Sequence, residues 1–203
     1  MRHFDQHPLS RAFLRKVVKR ARIGSFNSEM TFQANSTHVR RTTEADWEAY
    51  RALRLEMLQD TPLAFGETLA NTQQWGEPEW RMRAARGEAS DQILVAAIDR
   101  ADDRWVGAMG GFIANGPDVT GALLVGVYVM PTHRGAAFGV AVALLAEVEK
   151  WAATVGDSLF LHVHEDNKRA LAFYKRSGYW LTGGTQPYAL DAGQRELEMR
   201  KAL

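Results

Sequence analysis

Between Val127 and Ala141 the chain reads Val-Tyr-Val-Met-Pro-Thr-His-Arg-Gly-Ala-Ala-Phe-Gly-Val-Ala, a β-branched and aromatic run that passes through small residues into an Ala-rich stretch of helical spacing. Such a strand-to-helix junction turns unpaired backbone N–H groups and the positive end of a helix dipole toward one point, which suits phosphate or pyrophosphate. Gly135, Ala136 and Ala137 let a ligand approach the backbone closely, and Arg134 adds a fixed positive charge. Other phosphate cradles do not match: no Gly-Lys-Ser/Thr follows as in a P-loop, and the Gly-x-Gly of a dinucleotide fold is missing. Further on, Asn167 and Tyr174 are seven residues apart, about two helical turns, so one helix face carries both. The chain has no cysteine, which excludes a thiolate nucleophile, disulfides and Cys-based metal sites. His133, His162 and His164 form no recognisable ligand set, so no metal is expected.

Hydrophobic periodicity supplies the elements that must hold these groups. Val39–Arg41 reads as a short strand, and Thr43-Glu-Ala-Asp46 caps a helix whose apolar face runs from Trp47 through Tyr50, Leu53, Leu55 and Leu58 to about Gln59. Residues 61–66 break it, and a second helix is expected from Glu77 through Arg86. Gln92–Ile98, Trp105–Ile113 and Ala122–Met130 read as three antiparallel strands. Phe138–Val155 then has helical spacing closed by Gly156, Leu159–His164 is a strand, and Asn167–Ser177 is a helix closed by Gly178. A strand over Tyr179–Thr182 and a last strand over Arg195–Lys201, turned through Asp191-Ala192-Gly193, complete the order β-α-α-β-β-β-α-β-α-β-β. Strand–helix–strand connectivity around residues 122–163 implies parallel pairing inside a mixed sheet, an α/β (α+β) architecture.

Two motifs carry a family resemblance. Arg134-Gly-Ala-Ala-Phe-Gly139-Val-Ala141 resembles the Gln/Arg-x-x-Gly-x-Gly/Ala motif of the GNAT acyl-CoA-dependent N-acetyltransferases, and Asn167-Lys-Arg-Ala170-Leu-Ala-Phe-Tyr174-Lys-Arg-Ser-Gly178-Tyr179 resembles that family's Asn-x-x-Ala-x-x-x-Tyr-x-x-x-Gly-Phe/Tyr signature. With the element order, the resemblance covers residues 38–203, about four-fifths of the chain. One departure is Ala137, where the motif usually has Gly. The resemblance implies the GNAT fold and acetyl-CoA as co-substrate. The amides of Arg134, Gly135, Ala136, Ala137, Phe138, Gly139 and Val140 would hold the pyrophosphate. The backbone of Tyr128 and Val129, with Asn167, would lie along the pantetheine arm. Tyr174 would serve as the acid at the leaving thiolate.

Acyl transfer to an amine also needs a proton acceptor. Many GNAT enzymes use a Glu on the strand before the pyrophosphate loop, where this chain has Leu123-Leu-Val-Gly-Val127. The candidates are therefore Glu67, His162, His164, Glu165 or a water relay; imidazole has a suitable intrinsic proton affinity. The acceptor is a small-molecule or peptide amine, with Trp47, Leu55, Phe65, Trp75 and Trp80 as an apolar wall. A non-catalytic acyl-CoA-binding module is the rival reading, motivated by the missing Glu and by Ala137.

Composition sets the outer limits. At 203 residues, 46% hydrophobic and 24% charged, the chain suits one globular domain, and no apolar run approaches the roughly 18 residues of a membrane span. Residues 1–29 hold seven bases against two acids, a net of +5; the whole chain carries +1, which leaves −4 on the rest. A net-acidic body argues against nucleic acid as ligand. Residues 1–37 are expected to be a basic, flexible extension, of which 1–29 are dispensable for catalysis, and residues 38–203 the domain. A cytoplasmic location is expected, and a homodimer is compatible with the sequence.

Overall fold

In the computed structural model, residues 36–116, 120–135 and 139–203 are described. The basic segment 1–29 and three cofactor-loop candidates, Ala136, Ala137 and Phe138, lie outside them. Strand β1 (Thr37–Arg41) leads into Thr43, whose N–H donates to the Asp46 carboxylate at 2.7 Å while Arg40 grips the same carboxylate at 2.6 and 2.7 Å. This box opens helix α1 (Trp47–Asp60), as its sequence signals imply. A 3₁₀ turn at Pro62–Ala64 follows, then a one-turn helix α2 (Leu69–Thr72) that periodicity is too short to reveal, and helix α3 (Glu77–Ala84). The last turn of the expected 77–86 helix tightens into 3₁₀ geometry at Ala85–Gly87.

Strands β2 (Gln92–Asp99), β3 (Trp105–Asn115) and β4 (Thr120–Val129) are antiparallel. Helix α4 (Val140–Val155) then crosses to strand β5 (Ser158–His164), which pairs parallel with β4. Helix α5 (Lys168–Arg176), strand β6 (Trp180–Tyr188) and strand β7 (Asp191–Ala202) complete a seven-stranded sheet of order β1-β2-β3-β4-β5-β7-β6. Helix α4 lies directly on β3: side chains built at Gly107 and Gly111 would meet Leu144, Val148 and Trp151. Leu144 and Val148 are fully buried, each contributing roughly 1.5–3 kcal/mol.

Three boundaries differ from the sequence expectation. Helix α4 starts at Val140 rather than Phe138, because Gly139 caps it in the left-handed region. Strand β6 runs past Thr182 to Tyr188, with Gly183 and Gly184 in a register shift between Leu181 and Thr185. The hairpin turns before Asp191, not through it: Asp191 already pairs with Tyr188, and its carboxylate accepts bonds from the Gly193 N–H and the Gln194 side chain inside β7.

Candidate functional site

The site begins with one extra residue in β4. Val125 lies opposite Gly110 and Tyr128 opposite Ala108, so Gly126 and Val127 together face Met109. Gly126 has φ +62, and a Cβ there would touch nothing within 4 Å, so the left-handed backbone rather than crowding demands glycine. On its other edge β4 pairs with β5 only over Ala122–Leu124. Past Leu124 no strand pair joins them among the described residues. The seam leads toward the amino end of α4. There Gly139, φ +64, caps without a side-chain bond, Ala143 makes the first helical bond to Gly139 at 2.9 Å, and the first turn holds no acid. The N–H groups of Val140, Ala141 and Val142 thus lack intrahelical acceptors.

Arg134 is not the spare charge the sequence suggested. Its Nε donates to the Val129 carbonyl at 2.7 Å, its guanidinium pairs with Asp60 at the end of α1, and it lies 5.5 Å from the Tyr128 ring centre. It clamps the loop to α1, which leaves the backbone N–H groups as the positive element. The Tyr128 hydroxyl beneath is buried and has no partner among the described residues; burial and the charges of Asp60 and Glu56 push it up to about 12.

Asn167 caps α5, its Oδ1 accepting from the Ala170 N–H at 3.1 Å, so only its side-chain NH₂ remains for a ligand. Tyr174, two turns on, is 5% exposed, with its ring between Phe173 (5.3 Å) and Tyr179 (5.7 Å). Burial pushes its phenol well above the ordinary range, so it stays protonated at neutral pH.

A cavity of about 390 Å³ lies between the helices and the sheet, with Leu123, Val125 and Gly126 of β4 in its wall. The proposed bases separate here. His162 lines the cavity, its Nε2 3.8 Å from Glu198, beyond hydrogen-bond range. His164 is 3% exposed: Nδ1 accepts from the Asp166 N–H at 3.1 Å and Nε2 meets the Gln194 carbonyl at 2.6 Å, so both ring nitrogens are used. Glu165 lies outside the cavity on Arg195 (2.8 Å), which holds its carboxyl below the usual range. Glu67 lines the cavity but is tied to Arg54 at 2.7 Å and Arg83 at 3.3 Å. Of the aromatic wall only Phe65 is present; Trp80 is core, 1% exposed, with Trp75 packed on it at 4.9 Å and Arg81 over Trp47 at 5.3 Å. Among the described residues no three His, Cys, Asp or Glu side chains could hold a metal.

The cavity also contains residues outside the expected set: Glu196, which accepts from Gln186 at 2.7 Å, and the arginines Arg54 and Arg86. Arg54 carried a readable signal, a charge among Tyr50, Leu53, Met57 and Leu58 on the buried face of α1.

The sequence profile of the acetyltransferase (GNAT) family matches residues 47–179. The chain belongs to this family, whose members are N-acetyltransferases. Solved GNAT structures share its fold. PaiA N-acetyltransferase from Thermoplasma acidophilum, in complex with coenzyme A, is 18% identical with a TM-score of 0.62, over 83% of this chain and 99% of that one. The phosphinothricin acetyltransferase from Sinorhizobium meliloti in complex with acetyl-CoA is 17% identical, TM-score 0.63, over 83% and 89%. The ribosomal-protein-alanine N-acetyltransferase from Brucella melitensis is 24% identical, TM-score 0.60, over 82% and 99%. No curated protein matches the sequence.

Proposed function

We propose that this GNAT protein transfers the acetyl group of acetyl-CoA to a primary amine by direct attack, with residues 38–203 as the catalytic domain. The observation that carries the reading is the opened β4–β5 seam, with the unpaired amino end of α4 beyond β4 and the Gly126 bulge in the cavity wall. An elongated thioester needs that combination: an anion site for its pyrophosphate, an unused strand edge for its amide-bearing arm, and a chamber for its carbonyl. The pyrophosphate binds the amides of residues 134–140, and the arm lies along Tyr128–Val129 within reach of the Asn167 NH₂. The coenzyme A and acetyl-CoA complexes of the Thermoplasma and Sinorhizobium proteins support the choice of co-substrate.

In the reaction the amine nitrogen attacks the thioester carbonyl, the C–N bond forms and the C–S bond breaks. One amine proton passes to His162, the cavity base whose ring makes no hydrogen bond among the described residues, and on to solvent. The Tyr174 hydroxyl donates to the departing thiolate and recovers its proton from solvent. The test is CoA release from acetyl-CoA across an amine panel, with Tyr174→Phe alongside. Turnover is expected, with kcat in the variant lower by about 10²–10⁴-fold and acetyl-CoA affinity nearly unchanged. Binding without release from any amine would make the chain an acyl-CoA-binding module. Wild-type kcat in the variant would return Tyr174 to the core.

A further inference from the structure

The cavity holds three arginines, and their partners are unequal. Arg83 is matched by Glu79 at 2.7 Å and Glu67 at 3.3 Å. Arg54 shares Glu67 at 2.7 Å, but its buried Nε–H has no partner among the described residues, although the residue is only 8% exposed. Its guanidinium carbon stands 4.7 Å from the Phe65 ring centre, which fixes the plane. Arg86, in the 3₁₀ turn after α3, is half-buried in the wall and makes no hydrogen bond or ion pair among the described residues. Burial holds its guanidinium below the ordinary range, with Arg83 acting the same way and Tyr50, Glu67 and Glu79 opposing. A partly desolvated cation without a counterion is costly, and an orphaned charged donor beside it adds to the cost. Three guanidinium groups against two carboxylates leave this end one positive charge in excess.

The sheet side of the same cavity has the reverse character. His162 of β5 and Glu196 of β7 line it, and among the described residues the Glu196 carboxylate has Gln186 as its one donor, at 2.7 Å. Between the charged groups the wall is apolar: Phe65, Phe112, Leu123 and Val125. The chamber thus sets donors without acceptors on its helical side and acceptors on its sheet side.

We infer that the acceptor is an amine that also carries a carboxylate, an amino-acid-like small molecule whose carboxylate docks on Arg86 while its amine faces His162 and Glu196. This rests on the acetyl-transfer reading and narrows its acceptor class. Carboxylate is favoured over other anions because a planar guanidinium fork matches its two oxygens, and because the excess is one charge. A plain polyamine would leave the arginines unmatched and bring further positive charge to them.

The experiment pairs each amine with its counterpart lacking the charge: α- and ω-amino acids against their carboxamides and the corresponding decarboxylated amines, assayed by CoA release and by calorimetric binding without acetyl-CoA. The wild-type protein should favour the carboxylate member by about 10–100-fold in kcat/KM and bind it more tightly. Arg86→Gln should raise KM for the carboxylate member by a similar factor, leave the carboxamide within about twofold, and leave acetyl-CoA affinity unchanged. Arg86→Lys should recover part of the preference, which a structural role would not produce. Equal use of carboxylate and carboxamide by the wild type, or an Arg86→Gln loss that falls on both, would overturn the dock while acetyl transfer stands. Failure to bind acetyl-CoA, or CoA release from no amine at all, would overturn the reading beneath it and the dock with it.

Discussion

Strand β5 has two edges that behave differently. Toward β7 it pairs without interruption from Ser158 with Ala202 to His164 with Glu196; toward β4 pairing stops after three residues. The β7 edge is closed by a full hydrogen-bond ladder and by side chains that satisfy one another, such as His164 with Gln194 and Glu165 with Arg195. The β4 edge is released by the bulge at Gly126, and the backbone it frees borders the cavity and the seam. The contrast teaches that one strand can close one edge and leave the other open, and that the same strand face carries a cavity-lining histidine and a structural one two residues apart.

The two histidines give the largest expected difference. His162→Gln should lower kcat by about 10²–10⁴-fold with little change in thermal stability. His164→Leu should do the opposite, leaving the Gln194 side-chain oxygen and the Asp166 N–H unpaired at a loss of about 1–3 kcal/mol in stability while the remaining folded protein turns over normally. Urea unfolding and steady-state rates on both variants check this. An equal kcat loss in each would erase the distinction.

Next comes the bulge itself. Gly126→Val places a β-branched residue at φ +62, which costs at least about 1–2 kcal/mol in stability. It should weaken acetyl-CoA binding by more than Gly183→Val, which places valine at φ +94 in the register shift of the β6–β7 pair. Equal cofactor affinity in the two would show that the open edge holds no ligand.

The broadest and mildest effect is on alkaline stability. Tyr128 is pushed up to about 12, and burial also raises Tyr174, Tyr179 and Tyr188. The folded chain therefore keeps these protons more tightly than the unfolded chain, whose phenols titrate near about 10. Their contribution is fully present below about pH 10 and is lost as pH rises toward the raised values. Urea midpoints should fall between about pH 10 and 12, less steeply in Tyr128→Phe.

What the sequence made legible was whatever is local. Helix α5 and its Asn167, Tyr174 and Gly178 are separated by fixed helical offsets, and α4 shows the same strong period. The Gly126 bulge was hidden because one glycine inside Leu-Leu-Val-Gly-Val-Tyr-Val does not interrupt a strand pattern, though an isolated strand glycine is itself a bulge signal. Glu196 and Gln186 are register partners in the β6–β7 hairpin, a pairing missed because the expected strand over Tyr179–Thr182 ended before Gln186. Arg134 had the right type and position, but its partner Asp60 lies 74 residues away. Arg86 matters for what it lacks, which sequence cannot express.

The central claim, that the amino end of α4 at the open seam holds the pyrophosphate, is tested most directly by calorimetry of acetyl-CoA with the wild-type protein and Gly139→Val, each first shown to be folded by circular dichroism. Gly139 caps α4 at φ +64 with open space around its Cβ, so a valine there strains the cap and intrudes where the phosphates would lie. A dissociation constant at least about tenfold weaker, the equivalent of roughly 1.4 kcal/mol, is predicted. An unchanged constant in the folded variant would remove the loop from the site and contradict the account.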